Sequence, residues 1–208
     1  MVQRLDYLKE SPSQTAGPYV HIGTNPNWVE ITGVWRDDLG LVLAGPETKG
    51  ERVILEGRVL DGAGNPVRDA LIEIWQADAD GLHNAPAETR GAADPAFAGW
   101  GRQPVSEADG TFRFETIRPG RVPWPDGRLQ APHVTVWIVA RGINLGLHTR
   151  LYFGDEQQAN AADPLLNRIP EPARRATLVA PRTSRDGLPV FTFDIRLQGE
   201  AETVFLDM

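Results

Sequence analysis

Residues 51–78 read ERVILEGRVLDGAGNPVRDALIEIWQAD, and the fold class turns on this stretch. Two runs rich in β-branched and aliphatic residues, 53–60 and 70–77, flank Asp61, Gly62, Gly64, Asn65 and Pro66, which favour turns. The pattern predicts two strands, joined either as a hairpin or by a connection between two sheets. Further strands are expected at 110–117, where Phe112 and Phe114 alternate with polar residues, and at 132–141, 147–153, 190–197 and 203–206. Turns rather than 10–15-residue helical runs separate most of these segments, so the reading is a mainly β chain, an antiparallel β-sandwich rather than a βαβ sheet.

Working outward, 155–180 is the one good helical window. Asp163 before Pro164 resembles an N-cap with proline at the first helical position, and one or two short helices are expected, broken near Pro170 and Pro172. Residues 78–104 read as a long loop, and a loop of that length in a compact domain is usually functional. Upstream, 1–50 shows no sustained period and mixes Pro12, Pro18, Pro26 and Pro46 with Tyr19, Trp28 and Trp35. It reads as an extended amino-terminal arm, docked on its own core and on a partner, because a solvated arm gains nothing from exposed aromatic rings. The core is 51–208.

Composition narrows the function. A chain of 208 residues suits one domain and buries roughly 70% of its unfolded surface. The 21 glycines and 17 prolines imply many turns. The absence of cysteine removes disulfides, thiolate metal sites and cysteine nucleophiles. A net charge of −7 with scattered Arg and Lys argues against nucleic acid as a partner. The amino terminus, MVQRLDYLKESPSQTAGPYV, lacks the apolar run of a signal peptide, and no segment approaches the ~18 apolar residues of a membrane span, so a cytoplasmic protein with no membrane partner is expected.

The chain has four histidines, His21, His83, His133 and His148, with no close pair among them. Asp78-Ala-Asp80-Gly81 begins like a calcium loop but lacks the later ligands, and reads as an acidic turn. Gly62-Ala-Gly64 sits in a turn and opens no helix, so a phosphate cradle is not expected, and Gly-x-Ser-x-Gly does not occur. His148, Arg150 and Tyr152 fall on one face of 147–153 and either line a pocket or form a hydrogen-bonded patch at an interface or under a loop. Arg141 is either a surface residue at a strand end or a charge that meets a carboxylate.

Several separated strings carry more: PSQTAGPYVHIG at 12–23, EIWQAD at 73–78, IRPG at 117–120, APH at 131–133 and LYF at 151–153. Together they resemble the intradiol ring-cleaving dioxygenases, and the resemblance covers essentially the whole chain. ARGIN at 140–144, LHTR at 147–150, FDIRLQGE at 193–200 and ETVF at 202–205 look like the alpha-type chain of the family's two-chain members. The resemblance implies cleavage of 3,4-dihydroxybenzoate by O2 to 3-carboxy-cis,cis-muconate, with a non-haem ferric ion held by two Tyr and two His. At those ligand positions this chain has His83, in Gly81-Leu82-His83; Val122, before Pro123-Trp124; and His133 and Thr135, in His133-Val134-Thr135. Valine offers no lone pair and a threonine hydroxyl replaces imidazole poorly, so the site reads as vestigial, with no metal bound by this chain and Fe(III) on a beta-type partner subunit. The resemblance further implies a higher alpha-beta oligomer with the active pocket at its interface. To that pocket this chain would bring Thr15, Gly17, Pro18, Tyr19 and Arg141, without being active alone. Two other readings stay open: a self-contained metal-dependent catechol dioxygenase using His83, His133 and His148, or a non-catalytic β-sandwich that binds or scaffolds.

Overall fold

The computed structural model describes residues 15–17, 19–144 and 146–207. In chain order the strands are β1 (Arg52–Leu60), β2 (Leu71–Trp75), β3 (Trp100–Pro104), β4 (Thr111–Ile117), β5 (His133–Val139), β6 (Leu147–Phe153), β7 (Val179–Ala180), β8 (Arg182–Arg185), β9 (Leu188–Thr192) and β10 (Ile195–Arg196). One sheet runs β10-β1-β9-β8, with β4 along the other side of β1; the second runs β3-β2-β5-β6-β7. β1 and β2 lie in different sheets, so the turn at 61–66 is a connection between sheets, not a hairpin.

Alternation along the strands builds the core. Val53, Leu55 and Val59 of β1, with Phe112 and Phe114 of β4, face Ile72 and Ile74 of β2, Val134, Val136 and Ile138 of β5 and Leu151 and Phe153 of β6, all buried. The result is a β-sandwich, but a mixed one: β1 pairs parallel with β9 and β10, and β6 parallel with β7. The expected β-sandwich is present, mostly antiparallel, with parallel pairs at β1 and β6. The chain returns to β1 and β6 by long excursions, and period-2 patterning carries no information about strand direction.

Other departures have local causes. The run 190–197 splits because the Phe193 carbonyl is pressed against Gly57, where any side chain would overlap it, and the Asp194 carboxylate accepts the Arg58 N–H (3.0 Å) that a continuous ladder would use. Segment 203–206 is not a strand. Its backbone divides between neighbours, with Thr203 N–H donating to Arg196 O (3.0 Å) and Leu206 N–H to His148 O (2.8 Å). β3 emerges from the expected loop 78–104 as an edge strand that ends on Pro104, where proline does no harm. β8 and β9 form a two-residue hairpin on Asp186-Gly187, both at positive φ (53° and 82°), the pairing that a primed turn requires.

The helical window holds three short pieces: α1 being Val20–Thr24 upstream, it contributes α2 (Gln157–Ala162), a 3-10 turn (Leu166–Arg168) and α3 (Pro172–Ala176). Buried Asp163 closes α2, and its Oδ1 accepts the N–H groups of Leu165 and Leu166 (2.9 Å each). This layer packs Leu165, Leu166 and Leu178 over Tyr152, on the outer face of the second sheet. The amino-terminal segment is not extended throughout, since Asn25 N–H donates to His21 O (2.8 Å) to close α1. It then runs along the β3 edge, where Arg102 N–H donates to Gly40 O (3.0 Å) and Leu43 is buried against Gly101. No helix among the described residues is long and apolar enough to cross a membrane.

Candidate functional site

The four positions named from the ligand pattern come together. His83, Val122, His133 and Thr135 line one small cavity of about 10 Å3 on the outer face of the second sheet, with Trp75 and Gly120 closing it. Two loops make the cover. Asp78 O accepts the Gly120 N–H (2.7 Å), and a Cβ on Gly120 would strike the backbone of residues 79–81. Gly81 lies at φ +81°, pressed against the Arg121 carbonyl. Only two glycines allow the loop carrying His83 and the loop carrying Val122 to touch this closely. Both Asp78 oxygens are taken by backbone N–H groups, Oδ1 by Asp80 and Leu82 and Oδ2 by Asp94. It is a loop clamp, as the acidic-turn reading held.

Electrostatics keep both cavity imidazoles neutral. His133 Nδ1 meets the Ala131 carbonyl at 2.8 Å, so Nδ1 carries the proton and Nε2 the lone pair. Desolvation, with the Arg150 guanidinium adding to it, pushes its pKa down to about 4. His83 stacks on Trp75 (5.6 Å between centroids, 7° between planes), and burial, then Arg90, lowers its pKa as well. Its backbone N–H donates to Glu88 (3.0 Å), whose carboxyl the adjoining Arg90 holds at about 2.

This donor set does not fit a ferric ion. Fe(III) is a hard cation that favours anionic oxygen, and the cavity offers two imidazoles, one hydroxyl and the methyl groups of Val122, in space for about one water. Nor does His148 join them: it pairs across from Trp137, four residues along β5 from His133, about 13 Å away at strand spacing. Among the described residues no group of three or more His, Asp or Glu could hold a metal. The self-contained centre at His83, His133 and His148 is thereby corrected. The loop does fold back onto β5 as that reading required, but β6 carries His148 to the wrong end.

Arg150 and Tyr152 resolve as the hydrogen-bonded patch. Arg150 Nη1 donates to Gln130 Oε1 (2.7 Å), Tyr152 OH donates to Asp163 Oδ1 (3.2 Å), and Asp163 Oδ2 accepts the Ala131 N–H (2.8 Å). Burial raises the Tyr152 pKa, so the phenol stays protonated.

At the far end of β5, about 20 Å from the cavity along the strand, a second constellation forms. Residues 140–143 make a β-turn, with Ile143 N–H donating to Ala140 O (3.1 Å), Gly142 at φ +88° and Arg141 at its tip. Thr15 Oγ1 donates to Ala140 O and accepts from Gly142 N–H, both at 3.1 Å, so the amino-terminal segment is fastened on either side of Arg141. Gly17 follows at φ +67°. Tyr19 is 76% exposed. Pro18 lies outside the described residues. The Arg141 side chain is exposed and reaches the chain's own Asp69, Nε to Oδ2 at 3.3 Å. Asp69 was not singled out from sequence, and Gly81 and Gly120 entered only as parts of motifs: an aspartate or glycine in a turn reads like any other until its long-range partner is known. A hollow of about 770 Å3 between Trp28, Leu41, Pro104 and Phe112 includes none of these residues.

Comparison with known proteins gives the class. The family model described as Dioxygenase (Dioxygenase_C) matches residues 24–199, and the chain belongs to the intradiol dioxygenase family. Over 98% of both chains it is 45% identical to the protocatechuate 3,4-dioxygenase alpha chain of Pseudomonas putida. It is 35% identical to the beta chain of the same-named enzyme from Burkholderia cepacia, across 76% of this chain and 68% of that one. Among solved structures, the dioxygenase domain of a carbohydrate-binding fusion protein from Streptomyces sp. SirexAA-E superposes with a TM-score of 0.56 at 31% identity, covering 76% and 87% of the two chains.

Proposed function

We propose that the chain is the alpha subunit of a cytoplasmic protocatechuate 3,4-dioxygenase of aromatic catabolism. In this reading a beta subunit carries the Fe(III), and the alpha chain completes the active pocket at the interface with the rim of Thr15, Gly17, Pro18, Tyr19 and Arg141. The enzyme joins O2 to 3,4-dihydroxybenzoate, breaking the bond between the two hydroxyl-bearing carbons and leaving both oxygen atoms in 3-carboxy-cis,cis-muconate. The observation that carries the reading is the cavity itself: four positions held together with the closure of a metal site, yet with no anionic oxygen among them for ferric iron and no donor at all at Val122.

A second observation favours a subunit over a free-standing binding module. Tyr19, Ile22, Trp28, Ile31, Val34, Trp35, Leu39, Leu41 and Val42 are all exposed within 24 residues of chain, whereas among the other described residues only Leu129 and Leu188 are large, apolar and exposed. A stripe of that kind is a surface for a partner. Iron content and protocatechuate-dependent O2 uptake, measured on the chain alone and on the chain co-purified with a beta subunit, test the proposal. Iron and turnover are expected only in the complex; stoichiometric iron and activity in the lone chain would overturn it.

A further inference from the structure

We infer that Asp69 is a positioning residue for Arg141, fixing the direction in which its guanidinium meets a carboxylate on the substrate ring; the inference rests on the placing of Arg141 at the pocket rim proposed above. Asp69 lies just before β2, and its side chain is only 20% exposed. One oxygen, Oδ2, receives both the backbone N–H of Arg141 and the approach of its Nε, each at 3.3 Å. The Thr15 hydroxyl meanwhile bonds the backbone on both sides of Arg141. An arginine at a turn tip, 67% exposed, would otherwise sample many rotamers. Nε is the guanidinium nitrogen nearest Asp69, which leaves the terminal NH2 groups as the donors that can face a carboxylate as a planar pair.

The sign of the effect separates positioning from charge. The Asp69 carboxylate beside the guanidinium weakens the attraction for an anionic substrate, so if charge alone mattered its removal would tighten binding. If aim matters, removal weakens binding. In the co-purified alpha-beta complex, Asp69→Asn is therefore expected to raise KM for protocatechuate about fivefold with kcat within twofold, while the inhibition constant of catechol, which lacks the carboxylate, stays unchanged. Asp69→Glu should recover part of the loss. The double variant Asp69→Asn/Arg141→Ala should show the KM of Arg141→Ala alone, because Asp69 acts through Arg141.

An unchanged or lower KM in Asp69→Asn, with KM raised in Arg141→Ala, would overturn the positioning role and leave the rim reading standing. Equal losses for protocatechuate and catechol would also overturn it, as the mark of a general packing defect. An unchanged KM in Arg141→Ala would sink the rim reading itself.

Discussion

The two ends of β5 are built to opposite rules. At the His133 end the covering loops are rigid and closed, two glycine contacts and an aspartate clamp hold them, and the space inside is filled or neutral. At the Ala140 end a β-turn stands in solvent, a distant threonine pins it, and it carries an exposed cation. The first end has the architecture of a reaction centre without the donors for one. The second borders an open hollow of about 610 Å3 lined by Arg141, Gly142 and Ile143, and it presents charge outward. In the proposed assembly the chain contributes at the open end and is held together at the closed one.

That contrast can be attacked from its strongest side. Gly81→Ala would place a side chain at φ +81° against the Arg121 carbonyl, and should cost about 3 kcal/mol of stability, seen as a shift in denaturant midpoint. A neutral result would mean that the closed end no longer needs its closure. Next comes acid. His133 has an ordinary value of 6.5 and a folded value of about 4, so between those pH values the unfolded chain binds a proton that the folded chain refuses. Its contribution is complete above pH 6.5 and is lost as pH falls toward 4, by about 3 kcal/mol at most. His133→Gln should flatten that part of the stability–pH curve. A curve of unchanged slope in the variant would show that the cavity histidine is not the titrating group.

The open end should respond in kinetics, not stability. Arg141→Ala in the alpha-beta complex is expected to raise KM for protocatechuate about tenfold, roughly 1.4 kcal/mol, at unchanged iron content and melting temperature. Thr15→Val keeps the shape and removes the hydroxyl that bridges Ala140 and Gly142; a KM about threefold higher, with normal assembly by size exclusion, is expected from loss of the tether. If Thr15→Val matched or exceeded Arg141→Ala, the tether rather than the cation would be the main contribution of this end.

Much of the fold was legible because alternation reports burial directly: β1, β2, β4, β5 and β6 lie where Val, Ile, Leu and Phe alternate. What was not legible depended on partners remote in sequence. Trp100-Gly-Arg-Gln-Pro104 has no strand-like composition and becomes β3 only because β2 needs an edge partner. The parallel pairing of β9 with β1 is set by the route of the chain, not by either strand. Asp186-Gly187 was a readable hairpin signal, lost between an expected helix and an expected strand. The cavity positions were legible through resemblance and not through spacing, since His83, Val122 and His133 come from three elements. Arg141 and Thr15, 126 residues apart, were brought to one pocket by the resemblance alone, since nothing in spacing or composition links them.

The smallness of the closed cavity has a historical meaning. Rebuilding the four-donor set implied by the family resemblance would take a phenol at position 83, a phenol at 122 and an imidazole at 135. The first phenol to arrive at Val122 would have to enter space for about one water, at a cost of roughly 1–3 kcal/mol, with nothing returned until the other two followed. A phenol at 122 alone is therefore worse than the valine present there. The first step toward a four-donor cavity is uphill at position 122, so the smallness of the space itself guards the present packing.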